Sequence, residues 1–301
     1  VQQILTKIFK KCEEKLFSNP KILVNKRIIP LVKANNPETI SINEFDQDEI
    51  SDANLTFLSE MEFDGLFGFQ TTSTRLLRRF GKSEMLDAFK KRESDLPTPG
   101  KAGSNMQVAE KFVDGFEISS IEIIANAKGM SDFSIGHPKN SKSLLQSFAD
   151  SCVKTIDRQR TVIISTGKDA SNETLDVSLN SLWNCYSIVK NQGFVVLLAE
   201  CLNGIGSDAF QQFIDGRLTI ERVKNATNYV HGMENLLFLS EIQKKIQIGL
   251  VSTLPETYAK KLGIIPIGGV KKSMDYILKN LGPRQKVEVV NDGARTLLRE
   301  N

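Results

Sequence analysis

The sequence predicts an α/β protein of two domains, each a mainly parallel sheet flanked by helices, with a cleft between the domains. In the stretch 194–207, an apolar run of strand length ends at Glu200, and a loop with two glycines then leads into a helical pattern. In the second half of the chain, strands alternate with helices, which implies parallel strands joined by right-handed crossovers. The 301 residues are enough for two domains. The hydrophilic segment 157–160 predicts the boundary between domains 1–156 and 157–301.

The composition is that of an ordinary globular protein. The chain is 40% hydrophobic and 25% charged, with 39 Lys and Arg against 36 Asp and Glu. The basic residues are dispersed apart from clusters at 75–79 and 90–92, which are more typical of a solvated face than of a nucleic-acid-binding surface. The longest apolar stretches fall far short of the roughly 20 residues of a membrane helix. We therefore expect neither nucleic acid nor membrane as a partner, and a homo-oligomer is among the assemblies that the sequence allows.

The four cysteines, at positions 12, 152, 185 and 201, are isolated and form no CxxC pair. Because this spacing does not indicate a disulfide framework, the reducing cytoplasm is the expected location. No signal peptide is visible, although residues upstream of Val1 could hold one.

Local periodicity predicts the elements of the first domain. Apolar residues at three- and four-residue spacing predict a helix over 1–17, and the run 21–25 is typical of a short strand, whereas 30–50 shows little periodicity. The elements predicted downstream are a Phe-, Leu- and Gly-rich segment 55–69 with a polar run 70–74, a helix 76–91, a loop 92–103, a helix 104–112, a strand 116–125, a short strand near Phe133, and a helix from Asn140 or Ser141 to Ile156.

The second domain shows a more regular alternation. The elements predicted there are a strand 162–165, a polar loop 167–172, a helix 175–191 ended by Gln192 and Gly193, the strand from Phe194, a helix from Asp208, helices 219–223 and 229–245, a strand 246–251, a helix 255–262, a short strand 264–267, a helix 270–281 and a last strand 286–290.

The glycine loop after Glu200 is the first candidate site. Ligands of parallel sheets bind at the carboxyl ends of strands, where helix N-termini present unpaired N–H groups. Gly204 and Gly206 could let the backbone cradle an anion, and Ser207 could cap the helix or bind the ligand. The loop lacks the lysine of a P-loop and the spacing of a dinucleotide fingerprint. A plain tight turn is about as well favoured as a binding loop.

Asp292 and Arg295 follow the last predicted strand and offer a carboxylate and a guanidinium at the same edge of the sheet. Arg295 could bind a carboxylate through two nitrogen atoms, and a structural Asp292–Arg295 pair is the equal alternative. His137 and His231 are the only histidines, so this chain alone cannot assemble a metal site with several histidines.

Four segments resemble the carboxyl-terminal domain of the nickel-dependent lactate racemase family, in matching order and spacing. These segments are 162–167, 182–184, 193–207 and 282–297. A weaker similarity covers 67–69, 81–89 and 103–105. The resemblance implies two α/β domains around a cleft and a nickel-pincer nucleotide attached to a lysine and ligated by a histidine. It also implies racemisation of 2-hydroxy acids by hydride removal and return, with two further histidines that accept and donate a proton.

Compared residue by residue, the resemblance implies that the cofactor site is lost. Depending on the alignment, Ser73, Thr74 or Arg75 stands at the position of the attachment lysine, and Phe89 stands at that of the nickel-ligating histidine. A hydroxyl or phenyl group supplies neither an amide link to the cofactor nor a bond to nickel. We therefore expect no cofactor.

The proton-transfer and substrate-binding residues of the family also differ. One family histidine is replaced near Asp64, and the histidine of an earlier Gly-Thr-His motif has no counterpart. Asp169 and Ser171 stand where the family has an aromatic residue and a lysine that contact the substrate.

These comparisons favour a catalytically degenerate lactate-racemase-like protein that binds a small carboxylate or nucleotide in the cleft and has a regulatory or partner role. The alternative is an active racemase or other isomerase that uses Lys168, Asp169, Glu200, Asp292 and Arg295. Under the first hypothesis, the degenerate binding protein, no residue is assigned a catalytic or metal-binding role. The candidate ligand-binding residues are Thr72, Ser73, Thr74, Arg75, Lys168, Asp169, Ser171, Glu200, Gly204, Gly206, Ser207, Asp292 and Arg295.

Overall fold

The chain divides into two compact units, residues 1–55 and 56–301. In the first unit, β1 (Lys21–Val24), a strand predicted from the sequence, pairs in parallel with β2 (Ser41–Glu44). The helix predicted over 1–17 lies outside the described residues, and the boundary predicted near residue 156 falls within the second unit and stays a prediction. A computed structural model describes residues 21–24, 41–44, 55–96, 98–126, 129–167, 170–284 and 286–301.

Residues 55–156 combine small sheets with α-helices. The elements in chain order are β3 (Leu55–Glu60), β4 (Glu62–Asp64), β5 (Gly68–Gln70), α1 (Thr72–Phe80), α2 (Ser83–Lys90), α3 (Ser104–Val113), β6 (Ile118–Asn126), β7 (Gly129–Gly136), a 3₁₀ segment (Pro138–Leu144), α4 (Leu145–Cys152) and β8 (Val153–Ile156). β3, β6 and β7 form one sheet, within which β6 and β7 pair antiparallel. β4 and β5 form a second antiparallel pair.

Residues 157–301 follow the regular alternation that the sequence predicts. The elements in chain order are β9 (Gln159–Ser165), a 3₁₀ turn (Ala170–Asn172), α5 (Leu175–Cys185), a 3₁₀ turn (Tyr186–Ile188), β10 (Val189–Leu198), α6 (Asp208–Ile214), α7 (Ile220–Lys224), α8 (Met233–Ile242), β11 (Gln247–Val251), α9 (Glu256–Lys261), β12 (Ile265–Pro266), α10 (Val270–Leu281), β13 (Val287–Val290) and β14 (Leu297–Glu300).

The central sheet has the strand order β12-β11-β10-β9-β13, and every neighbouring pair is parallel. Side chains of its middle strand, β10, alternate between the two faces. Val195 and Leu197 join the large core cluster, whereas Phe194 and Val196 pack in a second cluster with Ile277 of α10. A parallel sheet is normally covered on both faces, so its strands are apolar throughout. The predicted α/β class, with parallel strands flanked by helices, is confirmed.

The helix predicted over 175–191 is wrong in its last third, because α5 ends at Cys185 and β10 already begins at Val189. The parallel register between β9 and β10 shifts between Val189 and Phe194, which marks a bulge. Gln192 has a φ of +59° there, and a Cβ on Gly193 would lie 2.6 Å from the carbonyl oxygen of Lys190. The Gln-Gly pair that suggested a helix end therefore forms a bulge inside the strand.

The helix predicted to reach Ile156 ends at Cys152, and Val153–Ile156 forms strand β8. Its partner is the carboxyl-terminal strand β14, which pairs with it in parallel and which the sequence did not predict. Pairing with a segment so distant in sequence overrides the local helical spacing, and β-branched residues suit the extended conformation.

The polar run 70–74 leads directly into a helix, since α1 begins at Thr72, and the side chains of Thr72, Ser73 and Thr74 are buried. The helix predicted over 76–91 is divided at Gly81, where an added Cβ would lie 2.7 Å from the carbonyl oxygen of Leu77. The helix predicted over 229–245 is shorter in the structure, where α8 spans Met233–Ile242. Among the described residues, no helix has the length and apolar character needed to cross a bilayer. Of the cysteines, Cys152, Cys185 and Cys201 are described and unpaired.

Candidate functional site

A cavity of about 140 Å³ lies between residues on the two sides of the predicted boundary. One wall comes from the segment 60–65, where β3 passes into β4, and from Arg78 of α1. The opposite wall comes from the start of α5, the start of α8 and the turn after β13. This turn brings Arg295 to the cavity, and the 3₁₀ turn before α5 brings Ser171. Pockets that hold small ligands commonly lie where two such substructures meet.

Arg78 joins the two walls of the cavity. Its Nη2 atom donates to both carboxylate oxygens of Asp64, at 3.1 and 2.9 Å, and its Nη1 atom donates to Glu234 of α8. The hydroxyl group of Tyr229 also donates to Glu234, at 2.9 Å. Burial opposes the charged form of Arg78, but the two carboxylates outweigh burial and raise its pKa well above the usual value. The cluster 75–79 was predicted to be a solvated face; Arg78 is only 14% exposed, so that prediction is wrong for this residue.

His231 and Asp176 form a second charged pair in the cavity. The Nε2 atom of His231 lies 3.0 Å from a carboxylate oxygen of Asp176, and the His231 side chain is half exposed while that of Asp176 is buried. The hydrogen bond that Asp176 accepts from His231 is the main reason why the pKa of His231 is raised. An imidazole held by a carboxylate is a common arrangement for proton transfer.

A buried chain of hydrogen bonds orients this pair. The Trp183 indole, which can only donate, gives its Nε1–H to the amide oxygen of Asn235 at 2.6 Å. The amide nitrogen of Asn235 therefore points to Asp176 and donates to its Oδ1 atom at 2.8 Å. The Oδ2 atom of Asp176 then accepts from His231, so the neutral imidazole carries its proton on Nε2 and has Nδ1 as its acceptor.

The glycine loop supports the His231–Asp176 pair from behind. The backbone N–H of Asp176 donates to the carbonyl oxygen of Ile205 at 3.0 Å. The hydroxyl of Ser207 donates to the carbonyl oxygen of His231 at 2.8 Å and accepts from the Phe210 N–H as the N-cap of α6. The loop backbone and Ser207 are thus engaged with the protein itself, and the cavity lining includes neither the loop glycines nor Ser207.

The N-terminus of α1 is engaged by a carboxylate of the protein. Glu122 is fully buried and accepts from the backbone N–H of Thr72 at 3.0 Å. Its oxygens also accept from the hydroxyl groups of Ser59 and Ser141, at 2.8 and 3.1 Å. Helix N-termini attract anions. Here the anion is a side chain of the chain itself.

The structure brings only part of the predicted set of ligand-binding residues together. Ser171 and Arg295 line the cavity, and Arg295 lies 3.5 Å from Asp292. Arg75 contacts Glu62 of the cavity wall at 3.0 Å. The remaining described candidates lie elsewhere: Thr72, Ser73 and Thr74 are buried in α1, Glu200 is exposed after β10, and Gly204, Gly206 and Ser207 form the supporting loop. Lys168 and Asp169 lie outside the described residues.

Sequence reasoning missed Arg78, Asp176 and Glu234, and it considered His231 only as a metal ligand. The available signal was weak: His231 is one of two histidines, and Asp176 stands in the first turn of a helix after a polar loop. Neither signal indicates the other residue, because the two are 55 positions apart and meet only in the folded chain.

Two residues at positions that the resemblance assigns to the nickel-pincer nucleotide do not fit that group: Thr74, one of the three alternatives for the attachment lysine, and Phe89, at the position of the nickel ligand. Thr74 is fully buried and its hydroxyl bonds to the backbone of Thr71, with the side chain inside α1. Phe89 is fully buried in the large core cluster, with its ring against Tyr229 and the Arg92 guanidinium 4.2 Å from the ring centre. Neither position presents a nitrogen or sulfur donor or opens into the cavity. In the part of the chain that is described, no group of three or more His, Cys, Asp or Glu side chains is arranged to hold a metal ion.

Comparison with solved structures identifies the fold. The chain is similar to the lactate racemase apoprotein from Thermoanaerobacterium thermosaccharolyticum, with a TM-score of 0.76 and 14% sequence identity over 99% of this chain and 83% of that chain. It is also similar to a Thermotoga maritima protein of known crystal structure, with a TM-score of 0.68 and 10% identity over 100% of this chain and 98% of that chain. No protein-family model and no curated protein sequence matches the chain. The chain therefore has a lactate-racemase-like fold.

Proposed function

We propose that this chain is a catalytically degenerate lactate-racemase-like protein, which binds a small carboxylate in the cavity and has a regulatory or partner role. The observation that carries the proposal is the cavity at Arg295, on the side of the fold where parallel α/β proteins bind ligands. Thr74 and Phe89 support the loss of nickel chemistry, because both side chains are fully buried.

The size of the cavity favours a small acid over a nucleotide. An engineered protein cavity of roughly 150 Å³ accepts benzene. A three-carbon hydroxy acid has as many heavy atoms as benzene and so suits a cavity of about 140 Å³. A nucleotide is several times larger.

Arg295 is the cation that we assign to the ligand carboxylate. Its side chain is 40% exposed, and its nitrogens lie 3.6 Å from Glu60 and 3.5 Å from Asp292. A guanidinium has five N–H donors, so Arg295 can keep its protein contacts and still donate to a ligand carboxylate. Arg78 is less suited to this role, because its side chain is only 14% exposed and lies between Asp64 and Glu234.

Calorimetric titration of the full chain tests this proposal. We expect heat of binding with the enantiomers of lactate and none with adenosine monophosphate. Arg295→Gln should weaken binding at least tenfold, since hydrogen bonds to charged groups contribute about 1.5–3 kcal/mol. Arg217→Gln is the matched control, because Arg217 pairs with Asp215 on the surface and does not line the cavity. Absence of binding by every carboxylate would contradict the proposal.

The alternative is an active racemase or other isomerase with altered residues. The observation that favours it is the His231–Asp176 pair, because an oriented imidazole can accept and return a proton. Protein produced together with the cofactor-assembly machinery should be analysed for nickel and assayed for racemisation. If the protein contained no nickel and showed no turnover, this alternative would be excluded. Turnover that depends on His231 would favour it over simple binding.

A further inference from the structure

The charges that line the cavity are unbalanced. Among the described residues of the lining, carboxylates outnumber cations even when the imidazole is counted as protonated. The cations are Arg78, Arg295 and His231, and the carboxylates are Glu60, Glu62, Asp64, Asp176 and Glu234. A ligand with only a negative charge therefore meets a wall of mainly the same sign.

Most of this charge is already committed to fixed partners. Arg78 holds Asp64 and Glu234, and Arg75 holds Glu62. Glu60 differs from these carboxylates, because its side chain is 39% exposed and its contact with Arg295 is 3.6 Å. The wall near Arg295 thus places a partly exposed carboxylate beside a partly exposed guanidinium.

The neutral form of His231 adds a further acceptor. Because Trp183 fixes the orientation of Asn235, and Asn235 that of Asp176, the neutral imidazole donates through Nε2 and keeps an unshared electron pair on Nδ1. The cavity therefore combines one cation suited to a carboxylate with several acceptors suited to a donor that carries positive charge.

We propose that the ligand is a small α-amino acid in its zwitterionic form, with its carboxylate on Arg295 and its ammonium group among the acceptors Glu60, Asp176 and His231. This inference rests on the proposed function and adds the chemical class of the ligand. An ammonium group donates three hydrogen bonds and carries a positive charge, whereas the hydroxyl of a 2-hydroxy acid donates one and carries none. The two kinds of acid have nearly the same size, so charge and not volume separates them.

Parallel titrations of the full chain with alanine, lactate and propionate, using both enantiomers of the first two, test the inference at a pH above the folded-state pKa of His231, where its imidazole is neutral. We expect alanine to bind at least tenfold more tightly than lactate or propionate. Glu60→Gln should reduce the preference for alanine, because it removes a negative charge at a partly exposed site without opening the core. His231→Gln should also reduce this preference, whereas His137→Gln, which changes the other histidine outside the cavity, should leave it unchanged.

The outcomes separate the inference from the proposed function. Lactate or propionate binding as tightly as alanine would overturn the amino-acid assignment and leave the carboxylate proposal standing. The same assignment would fail if Glu60→Gln and His231→Gln both kept the full preference for alanine. Binding by none of the three acids would overturn both proposals.

Discussion

At the scale of single residues, the cavity depends on polar side chains whose partners are remote in sequence. The indole of Trp183 fixes the Asn235 amide, which fixes Asp176, which in turn fixes the tautomer of His231. The buried members of this chain, Trp183, Asn235 and Asp176, have partners suited to their hydrogen-bonding capacity, and such buried networks are rigid. The cavity therefore presents an imidazole with a defined orientation.

The raised pKa of His231 can be tested directly, because the chain has only two histidines. In an NMR titration of the imidazole protons, His231 should titrate above about 6.5, the ordinary value for histidine. Asp176→Asn should lower its pKa, since Asp176 accepts the hydrogen bond and is the leading favourable charge. Glu234 adds to the effect of Asp176, and burial and Arg78 oppose it.

The same shift has a consequence for stability. The folded-state pKa of His231 is higher than the unfolded one, so the stabilisation from its pair with Asp176 is fully present below about pH 6.5. It is lost as the pH rises through the folded-state pKa. Asp176→Asn should remove this dependence, and His137→Gln serves to assign the two signals. An Asp176→Asn variant with an unchanged His231 titration would contradict the assigned contact.

At the scale of elements, the glycine loop after β10 acts as a support for α5 and α8. Gly204 and Gly206 have φ angles of +83° and +74°, which L side chains rarely adopt. Only Gly206 is also in close contact, because a Cβ there would lie 2.3 Å from the Oγ1 atom of Thr174, whereas nothing lies within 4 Å at Gly204. Thr174 is the N-cap of α5 and accepts from the Val177 N–H.

Gly204→Ala and Gly206→Ala form a matched pair of substitutions. We expect Gly204→Ala to lower the free energy of unfolding by about 1–2 kcal/mol, the cost of a left-handed conformation. Gly206→Ala should cost about 1–3 kcal/mol more, because it also displaces Thr174 and the start of α5. Urea denaturation measures both values. Equal losses in the two variants would mean that contact with Thr174 does not constrain this loop.

At the scale of the whole molecule, Arg78 connects the substructures on the two sides of the cavity. Asp64 and Arg78 belong to the segments before residue 156, and Glu234 belongs to α8. Removing one partner of a buried ion network is strongly destabilising, since it leaves charge buried without compensation. Surface pairs contribute much less.

Arg78→Met should therefore lower the free energy of unfolding by about 3–5 kcal/mol. Arg217→Met is the control, because its side chain is 66% exposed, and it should cost no more than about 1 kcal/mol. Thermal or urea denaturation near pH 7 gives the comparison. If both variants lost the same stability, Arg78 would not be the link between the two walls.

The sequence by itself determined the class of the fold, because hydrophobic periodicity is a local property. Strands such as β11 and helices such as α3 and α10 form close to their predicted positions. The resemblance of local segments also led to the lactate-racemase-like fold that the solved structures confirm. Fold class is encoded locally because each strand or helix must present an apolar face to its neighbours.

The tertiary structure alone decided the rest. β8 is a strand because it pairs with β14, about 140 residues away along the chain, and no local pattern contains that partner. Likewise, the position of Arg78 in a basic cluster does not indicate that Asp64 and Glu234 are its ion-pair partners. The sequence around His231 does not indicate its contact with Asp176 either. Buried charges are tolerated only when folding brings their partners within hydrogen-bond distance, so the composition of the cavity depends on contacts between segments that are far apart in the sequence.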